Sequence, residues 1–390
     1  MSCGVNGANI ALKLGLECLL EHVPARYQGR PAGLLAHAAS CTAAGQQAVT
    51  ALAQHPDVQL KRLFSPEHGF SSQGLEGQAI ADSYEAVTGL PIISLYGQRR
   101  RPHAEHLRDL DLLFFDVQDV GVRAFTYIAT LKACLQACAE ASVTLLVLDR
   151  PNPLGRGSLG AGREEALDSF VAPHNLRFIH GMTIAEVALQ MARDMGCEAW
   201  LETVNMQGWQ GESWEATGLP WRAPSPALQR LAQVHCYPAT VFVEGCNLSE
   251  GRGTEVAFEC LGAPWLDAQA LADDLNGLGL SGVRFQPVSF TATRSKHAGQ
   301  QSQGVRLELH SRADFNPLHT AYRLLRAAYQ QNPGRFQWLQ GEGRPHPFVD
   351  MLFGSAHLRQ AVEGKLAEAE FFAYLAQGEQ LETKRPRFYP

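Results

Sequence analysis

The chain has 390 residues, 45% of them hydrophobic and 18% charged, with a formal net charge of −6. That length exceeds what one ordinary hydrophobic core supports, so two domains are expected. The acidic balance offers no electrostatic basis for a nucleic-acid partner, and no apolar run reaches the roughly 18 residues of a membrane span.

The opening stretch MSCGVNGANIALKLGLECLLEH lacks a basic start and a small-residue cleavage site. Lys13 sits within its apolar part, and Glu17 and Glu21 interrupt it. With no secretory signal legible, the expected location is the cytoplasm. The nine cysteines (Cys3, Cys18, Cys41, Cys134, Cys138, Cys197, Cys236, Cys246 and Cys260) are odd in number and contain no Cys-x-x-Cys pair. That usage fits a reducing compartment and supports neither a zinc knuckle nor a redox motif. Cys134 and Cys138, four apart in a helical pattern, read as small buried fillers.

Strands are expected at 31–37, 58–64, 91–96, 109–118 and 143–149, with helices at 42–54 and 124–141. These strands are continuously apolar rather than alternating, and helices separate several of them. Such a pattern marks a parallel sheet covered on both faces, hence a Rossmann-like α/β domain. A loop rich in Pro and Gly follows Asp149, and then a helix at 183–196 that Thr183 and Glu186 announce as a capping box. Residues 208–229, with Trp209, Trp214 and Trp221, read as an extended crossing or a substrate-facing loop. The boundary falls near 230–238, giving an N-terminal domain of residues 1–235 and a smaller α/β domain of residues 236–390. In the latter, strands are expected at 240–245, 283–290 and 304–311, a helix at 265–279, and two or three helices at the end.

GRGSLG, residues 155–160, matches the dinucleotide pattern G-x-G-x-x-G only formally. Pro151 and Pro153 intervene, and no good helix follows, so a nucleotide is not expected. Ligands of open parallel sheets bind outside the carboxyl ends of the strands. There the sequence places Glu67 and His68, then Tyr96, then Asp116, Gln118 and Asp119, then Asp149, Arg150 and Asn152. Clustered carboxylates raise one another's pKa, which allows one to serve as a general acid near neutrality. VFVEGCNLSEGRGTE adds Glu244, Asn247, Glu250, Arg252 and Thr254 among glycines that let a backbone approach a ligand. His103 and His106 stand at helical spacing without a further nearby ligand, and read as a solvated helix start rather than a metal site.

The segments FSPEHGF, LYG, LDLLFFDVQDVGVRAFTYI, LDRPNPLG, HGMTIAE and EGCNLSEGRGT together resemble the NamZ-type exo-β-N-acetylmuramidases, a glycoside hydrolase family formerly classed as a bacterial domain of unknown function. The resemblance spans roughly residues 15 to 390. SPALQ (225–229), AHAAS and LGRGS depart from the family pattern. The resemblance implies a Rossmann-like domain, a smaller α/β domain and a cleft between them. It implies removal of N-acetylmuramic acid from the non-reducing end of peptidoglycan fragments, in cell-wall turnover, without a cofactor or metal.

Glycoside hydrolysis calls for a protonated carboxyl at the leaving oxygen and usually a second carboxylate. Glu67 is the candidate acid, with His68 beside it, and the second carboxylate is Asp116, Glu244 or Glu250. Alternatively, the acetamido group of the substrate itself attacks. The lactyl carboxylate of muramic acid suits an arginine fork, for which Arg123, Arg150 and Arg252 are candidates. Tyr127 and Asn152 are candidates for the sugar hydroxyls, with Tyr96, Gln118, Asp149, Glu244 and Asn247 as further binding residues. Two competing readings are a metal-dependent hydrolase using His68, His103 or Asp116, and a non-catalytic sugar-binding protein.

Overall fold

The structure, a computed structural model, describes residues 11–75, 77–340 and 345–390. Cys3 and the first ten residues of the apolar opening stretch lie outside them. Seven strands form one sheet: β1 (Pro31–Ala36), β2 (Gln59–Ser65), β3 (Ser83–Tyr84), β4 (Pro91–Ser94), β5 (Leu112–Asp116), β6 (Thr144–Leu148) and β7 (Leu201–Val204). Their order is β3-β4-β2-β1-β5-β6-β7, and every pairing is parallel except that of the edge strand β3 with β4.

The uninterrupted apolar runs have a direct cause. Neighbouring residues of a strand face opposite sides, and both sides are covered. Leu34, Leu63, Phe114 and Leu146 join one core cluster, while Leu35, Phe64, Phe115 and Val147, each the next residue along, join the other. Each such burial contributes roughly 1.5–3 kcal/mol. Helices Tyr127–Ala141 and Ile184–Met195 cover one face. The second carries the expected capping box: Glu186 N donates to Thr183 Oγ1 at 3.3 Å, and Thr183 N donates to Glu186 Oε2 at 3.0 Å.

The second half holds an antiparallel sheet of β8 (Cys260–Ala263), β9 (Val283–Thr291) and β10 (Gln301–Leu309), with β10 in the middle. Helices Ala268–Gly277 and Pro317–Gln331 pack with it. One expected strand is absent. Residues 240–245 continue the helix Leu231–Thr240 into a 3-10 turn, Val241–Gly245. A short apolar run cannot by itself separate strand from buried helix. Here Val241, Phe242 and Val243 are all buried, with Phe242 packed 4.7 Å from Phe178 and 5.6 Å from Phe353. The helix expected over 42–54 is also shorter, Ala48–Gln54, because residues 41–47 form a closed turn bridged at Cys41 and Gln47.

The first core cluster runs without interruption from the large sheet into the second half, and position 235 lies inside the helix Leu231–Thr240. The chain end returns to the first half, where Tyr389 packs 5.2 Å from Trp209. Among the described residues, no helix is long and apolar enough to cross a membrane.

Candidate active site

A cavity of about 610 Å³ opens beyond the carboxyl ends of β2 and β4 and is closed from the other side by the second half of the chain. Its polar lining includes Glu67, His68, Tyr96, Arg100, Glu244 and Arg252. Phe125, Phe170, Tyr237 and Phe258 supply aromatic walls.

Glu67 follows β2 directly and is 6% exposed. The turn that holds it is tight: His68 has φ 69° and Gly69 φ 74°. A left-handed histidine costs about 1 kcal/mol or more, and such strain gathers at functional sites. It is held there by two bonds to Gly74, whose N donates to His68 O at 2.9 Å and whose carbonyl accepts from His68 Nδ1 at 2.9 Å. Since a carbonyl only accepts, Nδ1 carries the hydrogen. Gly77 N donates to Glu67 Oε1 at 3.4 Å. Burial, then the charge and hydrogen bonding of Glu67 beside it, push the Tyr96 hydroxyl up, so Tyr96 remains a neutral donor.

Across the cavity stands a second charged group. Arg252 Nε donates to Glu250 Oε1 at 2.8 Å, its Nη2 pairs with Glu244, and its guanidinium lies 4.9 Å over the Phe258 ring. Lys296 Nζ pairs with Glu250 Oε2 at 2.6 Å and donates to Val243 O at 2.8 Å. The two carboxylates are driven apart. Burial raises Glu244, with Glu250 adding to the rise against the pull of Arg252. Burial also penalises Glu250, but Lys296 and Arg252 outweigh it and hold that carboxyl low. Pairs of acids separated in this way are a mark of acid–base sites.

Of the residues expected from sequence, the cavity brings together Glu67, His68, Tyr96, Glu244 and Arg252, with Glu250 behind Arg252. The others do not line it. Asp116 is 0% exposed and clamped by Arg150, whose Nη2 reaches Asp116 Oδ2 at 2.9 Å and Cys41 O at 3.0 Å. Burial opposes the charge of Arg150, but Asp116 more than compensates and raises its pKa. Arg123 is fully buried and donates to the carbonyls of Ala161, Leu176 and Phe353 at 3.2, 2.8 and 2.5 Å; burial lowers it to about 10. Tyr127 donates to Pro224 O at 2.6 Å. Gln118 donates to the carbonyls of Asp119 and Pro151, each at 2.9 Å. Asn152 bonds Met182 O and Leu154 N, Asn247 bonds Arg335 O and Gln337 N, and Asp149 accepts from Ala185 N and Tyr389. These side chains brace the loops around the site.

The cavity also takes in residues that no pattern in the sequence marks as functional, among them Arg100, Phe125, Phe170, Tyr237 and Phe258. Tyr237 was hidden by the strand expected just after it, and Arg100 lies in a run of three arginines that resembles a solvated surface. Among the described residues, one group gathers three metal-capable side chains, His103, Glu105 and His106. Two of the three are exposed, they sit on one short helix, and none lines the cavity.

The family description "Exo-beta-N-acetylmuramidase NamZ, N-terminal" matches residues 32–232, and its C-terminal counterpart matches residues 235–388. Over 354 residues, 90% of this chain and 84% of the relative, the chain is 35% identical to the peptidoglycan beta-N-acetylmuramidase NamZ of Bacillus subtilis (strain 168). Among solved structures, a DUF1343 family protein of Bacteroides fragilis superposes with a TM-score of 0.86 at 29% identity, covering 98% of this chain and all of that one. A second from the same organism, at 24% identity and a TM-score of 0.72 over 96% and 97% of the two chains, shares the fold.

Proposed function

The chain belongs to the NamZ family of exo-β-N-acetylmuramidases, and from that premise we propose that it is a glycoside hydrolase releasing N-acetylmuramic acid from the non-reducing end of peptidoglycan fragments, as a step of cell-wall turnover. The observation that carries the reading is one cavity lined by two carboxylates, Glu67 and Glu244, on opposite halves of the chain. Glu67 is the general acid. It rests on a rigid strand end and a strained turn, with Tyr96 as a neutral donor beside it. Its proton goes to the glycosidic oxygen as the bond to the sugar breaks, and water supplies the new hydroxyl.

Glu244 is the second carboxylate in this reading. Glu250 has both oxygens taken up by Arg252 and Lys296, and Asp116 is held by Arg150 outside the cavity lining. Phe125, Tyr237 and Phe258 provide apolar walls for the sugar ring. The two-part division at about residue 235 is retained, with each part contributing one carboxylate. Eight free thiols among the described residues support a reducing, cytoplasmic setting.

Release of N-acetylmuramic acid from a chromogenic β-muramide tests the reaction. Replacing Glu67 by Gln keeps the shape of the side chain and removes the proton donor. A fall in kcat on the order of 10²–10⁴ is expected with folding intact. Undiminished turnover by a folded Glu67→Gln enzyme removes Glu67 from the acid role.

A further inference from the structure

Resting on the reaction just proposed, we infer that Arg100 is the residue that reads the lactyl carboxylate of the substrate and so selects muramic acid over a neutral hexosamine. None of the three arginines expected for this task has a guanidinium to spare. Arg252 lines the cavity, but its charge is balanced between Glu244 and Glu250. Arg150 is given to Asp116, and Arg123 to three backbone carbonyls. Inserting a further carboxylate beside Arg252 would set it against two existing ones.

Arg100 is different. It is exposed, it lines the cavity, and among the described residues it has no carboxylate partner. Its guanidinium lies 4.4 Å over the Phe170 ring and 5.5 Å over the Tyr96 ring, which are themselves 5.9 Å apart. Stacking engages the face of a guanidinium and leaves its N–H edges free. A planar, pre-oriented fork is what bidentate carboxylate recognition requires. A lysine, with a compact charge and no plane, would not stack in this way.

Position agrees with chemistry. Glu67, Tyr96 and Arg100 line the same cavity, with the Arg100 guanidinium 5.5 Å over the Tyr96 ring and the Glu67 charge raising the Tyr96 hydroxyl. In muramic acid the lactyl ether sits on C3, two carbons from the scissile C1. For Arg100 to read it, a sugar with C1 at Glu67 must direct its C3 substituent toward the Tyr96–Phe170 platform, which lines the same cavity. Arg100 touches the substrate but not the bond that breaks, so it acts on specificity.

The test compares two chromogenic β-muramides, one with a free lactyl carboxylate and one with that group as the carboxamide. Wild-type enzyme, Arg100→Ala and Arg100→Lys are measured on both. For the free acid, Arg100→Ala is expected to lower kcat/KM roughly 10- to 100-fold, mostly through KM. For the carboxamide the same replacement is expected to cost less than about threefold, and Arg100→Lys to recover only part of the loss on the acid. An equal loss on both substrates, or none on either, overturns the assignment of Arg100. Failure of the wild-type enzyme to cleave either muramide is a separate result, which removes the underlying reaction and this assignment with it.

Discussion

The hydroxyl of Tyr389 donates to Asp149 Oδ2 at 2.5 Å, joining the penultimate residue of the chain to the end of β6 across 240 positions. Around that bond, Tyr389 accepts from Met206 N at 2.8 Å, and Phe388 N donates to Glu186 Oε1 at 2.8 Å. The tail thus fastens the end of the second half onto the sheet that carries Glu67. Asp149 is fully buried, and burial raises its carboxyl from 3.8 to about 7, against the opposing pull of Tyr389, Ala185 N and Thr183.

The sign of the resulting pH effect follows from linkage. Between about pH 4 and 7 the unfolded chain has lost this proton while the folded one keeps it. The stabilisation is therefore complete below the unfolded value and is lost as pH rises through about 7. The effect is on the order of a few kcal/mol. Urea unfolding at about pH 5 and pH 8 should show wild-type stability falling more steeply with pH than that of Asp149→Asn, which has no proton to lose. Parallel pH slopes in the two proteins would sink the idea. Tyr389→Phe should cost about 1–3 kcal/mol, with the larger loss above pH 7, where the ionised carboxylate loses its donor.

A second expectation separates bracing from catalysis at Asp116. Removing one partner of a buried ion pair leaves a charge uncompensated and typically costs about 3–5 kcal/mol. Asp116→Ala should therefore lower the denaturation midpoint sharply, while kcat per folded molecule stays within about tenfold of wild type. Intact stability with a thousandfold loss of kcat would return Asp116 to the list of catalytic carboxylates.

Glu244 and Glu250 should behave oppositely. Glu244 faces the cavity with a raised pKa, so as a carboxylate acting on water or the sugar it should set the acid limb of the kcat/KM profile above the ordinary carboxylate range. Activity then falls as pH drops through that raised value. Glu244→Gln should abolish this limb and lower kcat by at least about 10²-fold. Glu250→Gln leaves Lys296 and Arg252 short of a counter-charge, and should act mainly on stability. A pH profile of Glu244→Gln that keeps the wild-type acid limb would exclude Glu244 from this role.

The scaffold was more legible in the sequence than the site, for a physical reason. β1, β5 and β6 are buried on both faces, so they appear as unbroken apolar runs. The cap at Thr183 is a local bond between neighbours in sequence. By contrast, β7 is only partly buried along its length and β8 is four residues with a central glycine, so neither leaves a pattern. The arginines show the limit most clearly. Sequence supplies a charge at Arg100, Arg123, Arg150 and Arg252 alike, but the partners of Arg123 and Arg150 lie tens to hundreds of positions away, and nearness in sequence does not tell that Glu244 and Glu250 both turn to Arg252. Arg123 donates to a carbonyl 230 residues distant, and Arg100 lies over a phenylalanine on a remote loop. Only the fold decides which guanidinium remains available.

One glycine links the small sheet to the cavity. Gly304 of β10 stands opposite Gly262 of β8, and a methyl group added at Gly304 would lie 1.9 Å from Leu261 O and 2.7 Å from Gly262 Cα. Neither of those backbone atoms can turn aside. Gly262 in turn bonds Ser249 on both sides, accepting from its N at 2.7 Å and donating to its O at 3.0 Å. Ser249 immediately precedes Glu250, so the close approach of two glycines sets the position of the loop carrying Glu250 and Arg252. Gly304→Ala should displace β8 and that loop together. The expected cost is about 2–4 kcal/mol in stability, comparable to overpacking or backbone strain in a core, with kcat falling in the protein that remains folded. Gly299→Ala, on an open turn with nothing near the added methyl group, serves as the comparison; its φ of 76° carries a backbone cost without displacing the sheet. Thermal melting and kcat measured side by side check the coupling, and a Gly304→Ala enzyme with unchanged kcat would show that the loop does not follow the strand.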